Sequence, residues 1–145
     1  MDKIAEKGKY IKVYITLDDK EIVGESLWAT YCGDNLAKID NIPFFANKVG
    51  WGDLVKIDDD REFIEVVERA TKTILVVWEP PQDEILVNAK WEEIISYFDQ
   101  FPYINRESAV AGIFSLSVPL DLSEEEIIGI CGDCPVPLCI EFGRE

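Results

Sequence analysis

The chain has 145 residues, a length that suits one domain or two small subdomains with a shared core. Its 29 acidic and 14 basic residues give a net charge of −15, which makes nucleic acids and anionic membranes unfavourable partners. The absence of histidine from the sequence excludes Ser-His-Asp and Cys-His catalysis, histidine general bases and histidine metal ligands.

Hydrophobic residues make up 48% of the chain and aromatic residues 11%, which is typical of a protein with a buried core. No stretch approaches the roughly 18 consecutive apolar residues that cross a bilayer. The N-terminal segment MDKIAEKGKYIK carries charges throughout and lacks the apolar region of a secretory signal. We therefore predict a cytoplasmic location.

Residues 1–70 alternate apolar and polar positions in the manner of β-strands. The segment KYIKVYITL, for example, alternates β-branched residues with tyrosine and lysine. Gly33-Asp34-Asn35 is a turn signal between two such strands. Residues 61–70 suit either a strand or a helix, and we favour a strand because a hairpin with the preceding strand explains the Asp-Asp-Asp turn. Five strands are predicted, within residues 9–17, 23–33, 36–40, 51–60 and 61–70, and the fourth of these segments is a short strand followed by the acidic turn.

Residues 71–145 combine strands with two helical patterns. Residues 88–101 place apolar side chains at i, i+3, i+4 and i+7, and Asn88 is the predicted N-cap. Ser123 and Glu126 have capping-box spacing at the start of the second helix. The predicted elements are strands at 71–78, 103–110, 112–120 and 136–142, and helices at 88–101 and 122–133.

The order of these elements predicts an α+β fold with two parts. Residues 1–70 form a β-rich subdomain, a small antiparallel β sheet or barrel. In residues 71–145 the order β-α-β-β-α-β is that of the ferredoxin-like fold, with two helices on one face of an antiparallel sheet. We expect the two subdomains to pack as one unit.

The segment IDNIPFFANKVGWGD, residues 39–53, concentrates aromatic residues near a turn. Pro43 restricts the backbone and directs Phe44 and Phe45 away from the preceding hairpin. We expect one ring to plug the sheet and the other to face the second half of the chain. A core corner is therefore favoured over a binding platform, since neighbouring aromatic residues more often pack than bind.

Several segments together resemble a bacterial domain family of unknown function, number 4265. The segments are ESLWA (25–29), IDNIPFFA (39–46), GDLV (52–55), FIEVVERA (63–70) and GIFSLSVPLDLSEEEI (112–127). The resemblance extends over most of the chain. It departs from the family pattern after the FIEVVE strand, where Arg69-Ala70-Thr71 stands in place of Ser-Gly followed by Ser or Thr. The resemblance implies a fold and a bacterial origin, and it implies no reaction.

The four cysteines are Cys32, Cys131, Cys134 and Cys139, and the middle two form a CxxC motif. This motif falls at the end of the second predicted helix, where the helix dipole raises a thiol pKa instead of lowering it. A zinc site would need the distant Cys32 as its fourth ligand. We predict buried, unreactive thiols, with zinc and redox roles as alternatives, and we predict no cofactor and no metal.

Acidic residues cluster in three places, at residues 58–62, 79–84 and 123–127. The first cluster lacks the glycine and distal glutamate of a calcium-binding loop, so a solvated turn or a protein-facing patch is favoured. We predict partner contacts at Asp58, Asp59, Asp60, Glu62, Glu79, Asp83 and Glu84, with Trp51 and Trp78 as aromatic anchors.

These observations favour an acidic binding protein that neutralises a basic protein, such as an immunity protein or antitoxin against a nuclease-type toxin. A nuclease site is cationic because it holds phosphates, so an inhibitor gains from an acidic face. The alternative is a ligand-binding or homodimeric regulatory module. An enzyme that uses carboxylates such as Glu25 or Asp53 ranks last, and no enzymatic activity is predicted.

Overall fold

The computed structural model describes residues 4–17, 24–46, 48–110 and 112–142. Over these ranges the chain has a mixed α+β fold with two antiparallel sheets and two helices. Val23, where the second strand was predicted to begin, lies outside the described residues. The first sheet contains β1 (Tyr10–Thr16), β2 (Gly24–Gly33), β3 (Leu36–Ile39), β4 (Leu54–Ile57) and β5 (Phe63–Glu68).

The five strands of the first sheet follow one another in sequence order, each antiparallel to the next. Alternate residues of β1 and β2, such as Val13 and Leu27, point inward and are fully buried. The amide of Tyr14 donates to the carbonyl of Arg61 over 3.0 Å, so the start of β5 returns to β1. The sheet therefore curls around its own apolar core.

The second sheet is formed by β6 (Thr71–Val77), β7 (Asn105–Val110), β8 (Ile113–Pro119) and β9 (Cys139–Phe142). Its strand order is β7-β8-β6-β9, and each neighbouring pair is antiparallel. Helix α1 (Glu84–Phe98) lies between β6 and β7 in the chain, and α2 (Glu124–Gly132) lies between β8 and β9. Both helices contribute buried residues to one core with the strands. This half has no closed sheet of its own and depends on the helices to cover it.

Each of the two helices begins with a side-chain cap, and one of these two caps was predicted correctly. Ser123 and Glu126 form the predicted capping box at the start of α2. The prediction of Asn88 as the cap of α1 is wrong, because Asp83 accepts hydrogen bonds from the amides of Ile85 and Leu86.

The β3–β4 loop, residues 40–53, joins the two halves. The amide of Ile42 donates to a carboxylate oxygen of Glu107 over 3.1 Å. The hydroxyl of Thr73 donates to the carbonyl of Val49 over 2.8 Å. A Cβ at Gly50 would lie 2.6 Å from the Thr71 hydroxyl oxygen, so a glycine is required for this close approach. These contacts seat the loop directly on β6 and β7.

Candidate functional site

Glu25 and Asn41 hold the first part of the β3–β4 loop. The carboxylate of Glu25 accepts hydrogen bonds from three backbone amides, those of Phe44, Phe45 and Ala46, over 2.8 to 3.1 Å. The side-chain oxygen of Asn41 accepts from the amide of Trp28 over 2.7 Å. Glu25, one of the two carboxylates considered for catalysis, therefore serves to order backbone.

Asp53, the other carboxylate considered for catalysis, is fully buried at the junction of the two halves. One oxygen accepts from the amide of Gly50 over 2.8 Å, and the other accepts from the amide of Ala70 over 2.7 Å. The same oxygen lies 3.5 Å from the amide nitrogen of Thr71. Asp53 thus ties the end of the loop to the β5–β6 turn, which is where the sequence departs from the family pattern.

The aromatic residues of this loop differ from the predicted core corner. Phe44 is half-buried and Phe45 is 42% exposed, and neither packs in the core of the first sheet, so the prediction that one of the two rings plugs the sheet is wrong. Ile42 and Val49 are the large apolar side chains that the loop buries, since they lie where its backbone meets the second half.

A groove lies beside the exposed indole of Trp51, and we call it the Trp51 groove. It has a volume of about 490 Å³ and is lined mainly by Tyr10, Thr30, Lys38, Asp40, Trp51 and Thr71. The Asp40 carboxylate stands between two aromatic side chains, accepting from the Tyr10 hydroxyl at one oxygen and from the Trp51 indole N–H, at 3.3 Å, at the other. Exposed rings, a fixed carboxylate and hydroxyl groups together provide the chemistry of a recognition surface.

The outer face of the first sheet extends this surface. Tyr10 and Trp28 meet edge to face with ring centroids 6.0 Å apart. The ammonium of Lys12 lies 5.0 Å from the centroid of the Trp28 ring, a cation–π contact. Lys12 thus places a basic side chain among the exposed aromatic ones. The charge of the chain continues to disfavour a polyanion.

The acidic turn between β4 and β5 divides into structural and exposed residues. One carboxylate oxygen of Asp58 accepts from the amides of Asp60 and Glu62, both over 2.9 Å, so Asp58 orders the turn. Asp59 accepts from the side-chain amide of Asn35 over 3.3 Å. Asp59, Asp60 and Glu62 are exposed, and of these three carboxylates it is Asp59 that accepts a side-chain hydrogen bond from another described residue.

The second predicted cluster, around residues 78–84, is also divided. Trp78 is only 5% exposed and stacks on Trp91 with ring centroids 6.2 Å apart. The prediction that Trp78 is a surface anchor is wrong, because Trp91 of α1 covers its ring. Asp83 caps α1, whereas Glu79 and Glu84 are exposed. Glu79 borders a cleft of about 390 Å³ with Lys90 and three prolines.

The cysteines do not form a common site in the described part of the chain. Cys131 and Cys134 are buried, Cys139 is exposed on β9 and Cys32 is half-buried. Burial, followed by the neighbouring Cys134, raises the pKa of the Cys131 thiol to about 11, and burial likewise raises the pKa of Cys134. Among the residues described, no three cysteine or carboxylate side chains are grouped to hold a metal ion.

Comparisons with known proteins identify the family and the fold. The model of a domain of unknown function, DUF4265, matches residues 25–134, and the chain belongs to this family. A crystal structure of a hypothetical protein from Neisseria gonorrhoeae is similar, with a TM-score of 0.65 and 17% sequence identity. The similarity covers 90% of this chain and 91% of that one, and it concerns the fold alone. No curated protein matches the chain. Neither helix of the described residues is long and apolar enough to cross a membrane.

Sequence reasoning predicted one residue of the Trp51 groove, Trp51 itself, and missed Tyr10, Lys38 and Asp40. The outward position of Tyr10 was visible in the alternation of its strand. Its distance from Trp51 could not be predicted, because both residues contact Asp40 from separate segments of the chain.

Proposed function

We propose that the chain is an acidic binding protein that neutralises a basic partner protein, as an immunity protein or antitoxin does with a nuclease-type toxin. In this proposal it acts in the cytoplasm and catalyses no reaction. We also propose that residues 71–145 form a ferredoxin-like subdomain packed against the β-rich subdomain of residues 1–70. The order β6-α1-β7-β8-α2-β9, with sheet order β7-β8-β6-β9 and antiparallel pairs, supports this assignment.

The observation that carries the functional proposal is the excess of acidic residues over the basic residues that could neutralise them. Between described residues, ion pairs join Lys90 to Glu93 over 3.5 Å and Arg106 to Asp99 over 2.7 Å, and both lie in the second half. The full chain has 29 acidic residues against 14 basic ones. The net charge of −15 can attract and orient a cationic protein.

Exposed acidic residues occur on both halves of the molecule. Asp60 and Glu62 lie on the β4–β5 turn, and Glu84 lies in the first turn of α1. Glu124 and Glu125 lie in the first turn of α2. Acids in a first turn also favour the helix dipole, so part of this charge has a structural explanation. In the β4–β5 turn, Asp58 and Asp59 accept hydrogen bonds within the first half, which makes Asp60 and Glu62 the better candidates for partner contacts.

The proposal is tested by affinity capture from an extract of the source organism, followed by washes at low and high salt. We expect a basic protein to be retained at low salt. Once purified, that protein should lose its nuclease activity or its toxicity to cells when the acidic chain is added. If no basic protein is retained, or if the retained protein keeps its full activity, the proposal is wrong. A stable homodimer with a bound small molecule would instead favour the regulatory alternative.

Charge reversal then locates the contact. Asp60→Lys combined with Glu62→Lys should weaken binding of the purified partner about tenfold or more, because each reversal replaces attraction by repulsion. The matched control is Glu124→Lys with Glu125→Lys, which changes the net charge equally at two exposed positions in the first turn of α2. Equal weakening by both pairs would show a diffuse charge effect without a contact at the turn. Thermal melts should confirm that each variant remains folded.

A further inference from the structure

The carboxylate of Asp40, in the Trp51 groove, can accept more hydrogen bonds than it does in this structure. The Tyr10 hydroxyl and the Trp51 indole N–H each donate to a different oxygen of its carboxylate. A carboxylate has about four acceptor positions, so two positions remain for a further donor. Because the donors belong to two aromatic side chains, the carboxylate orientation is fixed before any ligand arrives.

The rings beside Asp40 suit a flat cation. Tyr10 is 61% exposed and Trp51 is 37% exposed, so both rings present surface to solvent. On the same sheet face, the ring of Trp28 already holds the ammonium of Lys12. A guanidinium is planar, donates two parallel hydrogen bonds to a carboxylate and stacks on aromatic rings. A lysine ammonium can also lie over a ring, as Lys12 does, but it is not planar and cannot donate two parallel hydrogen bonds to one carboxylate.

The charges near the groove and on the whole chain indicate which class of ligand the groove can bind. Lys38 is the cation that lines the groove among the described residues, and it opposes Asp40 locally. The chain as a whole carries −15, which repels a polyanion and attracts a basic protein. An arginine of a basic protein therefore fits the groove better than a phosphate or a nucleic acid does.

We propose that the Trp51 groove binds an arginine side chain of the partner, with its guanidinium on the Asp40 carboxylate and against the rings of Tyr10 and Trp51. This inference rests on the proposed function, since the arginine is taken to belong to the basic partner. The Trp51 groove would bind one specific side chain, whereas the acidic β4–β5 turn would attract a basic surface through its charge.

The test uses the full chain labelled with ¹⁵N and a short capped peptide, Gly-Arg-Gly. Peptides with lysine or with neutral citrulline in place of arginine serve as comparisons. We expect the arginine peptide to shift the indole N–H resonance of Trp51, which is assigned by its loss in Trp51→Phe. Citrulline should shift it at least about tenfold more weakly, because the charge-assisted hydrogen bonds are lost.

Three variants test whether the shift of the Trp51 resonance depends on the residues of the groove. Asp40→Asn should weaken arginine-peptide binding about tenfold, whereas Asp60→Asn, with the same change of charge, should weaken it less than about twofold. Lys38→Ala should tighten binding about twofold by removing the opposing cation. Equal effects of Asp40→Asn and Asp60→Asn, or equal binding of the citrulline peptide, would overturn the proposal.

The results of these experiments distinguish failure of the groove proposal from failure of the proposed neutralising function. If a basic partner is captured but its affinity is unchanged by Asp40→Asn, the groove proposal is wrong and the neutralising function stands. If the arginine peptide binds at Trp51 but no basic partner exists, the function is wrong and the groove remains a site for a guanidinium. Displacement of the peptide by a single-stranded oligonucleotide at the Trp51 resonance would reject arginine in favour of nucleic acid.

Discussion

The two halves of the molecule use carboxylates in different ways. In the first half Glu25, Asp53 and Asp58 accept hydrogen bonds from backbone amides and hold loops in place. In the second half Asp83 and Glu126 cap helices. A curled sheet with a long loop has amides that need acceptors along its edges, whereas helices need them only at their first turns. An acidic composition is therefore partly a structural requirement, and only the remaining charge is available for a partner.

The halves also differ in how they bury apolar surface. The core of the first sheet is enclosed mainly by its own strands, while the second sheet is covered by α1 and α2. Aromatic rings fill the second core, where Phe114 contacts Trp91 and Phe98 with centroids 5.3 and 5.9 Å apart. The first half places several of its rings outside, around the Trp51 groove. This difference predicts where substitutions affect stability and where they affect binding.

The largest expected effect is on the aromatic core. Phe114→Ala removes a fully buried ring and should lower the free energy of unfolding by about 3–5 kcal/mol. The change in the free energy of unfolding is measured by urea denaturation, with tryptophan fluorescence as the signal. Leu27→Ala is the matched control in the first core, with an expected loss of about 3–5 kcal/mol. If either variant melts in two separate transitions, the halves do not unfold as one unit.

The next effect concerns the joint between the halves. Asp53→Ala leaves the amides of Gly50 and Ala70 without their acceptor in a buried site, so we expect a loss of about 2–4 kcal/mol. Glu25→Ala removes a comparable set of hydrogen bonds at a more exposed position and should cost less. The comparison is made by urea denaturation, with Asp60→Ala as the exposed control. A loss below about 1 kcal/mol for Asp53→Ala would contradict its proposed role.

The third effect is a pH dependence that belongs to the second half. Burial raises the pKa of Cys131 to about 11, above the ordinary thiol value of 9.0. Its contribution is fully present below pH 9 and is lost as the pH rises toward 11, because the unfolded thiol ionises first. We expect a loss on the order of 2 kcal/mol across this range. Cys131→Ala should flatten this part of the stability profile, and an unchanged slope would refute the assignment.

The smallest effect is at a helix start. Ser123→Ala removes the side-chain acceptor of the capping box in α2 and should cost about 1 kcal/mol. Ser123→Asp, which preserves an acceptor, should restore most of that loss. Both are measured by thermal unfolding at neutral pH. Failure of the aspartate variant to recover stability would show that the serine acts through packing and not as a cap.

Local patterns predicted the order of strands and helices because alternation and capping signals are read over a few residues. The start of α1 was misplaced because Ile85 and Leu86 are exposed, which breaks the apolar periodicity that marked the helix. The burial of Trp78 could not be predicted, since it depends on the stacking of Trp91 from a helix elsewhere in the fold. The groove escaped prediction for the same reason, because Tyr10 and Trp51 are brought together by pairing across β1, β2 and β3.

The contact of Gly50 with Thr71 has a consequence for how this family of proteins could be recombined. Thr71 opens the second sheet, yet its hydroxyl donates to the carbonyl of Trp51 over 2.8 Å, and Asp53 holds the adjacent turn. The groove is therefore assembled from residues of both halves, since Thr71 belongs to the second and the other lining residues to the first. A chimera made by exchanging halves between relatives would have to carry residues 50–53 and 70–73 from the same parent. Otherwise each half would keep its own core, but the Trp51 indole would no longer be held in the groove.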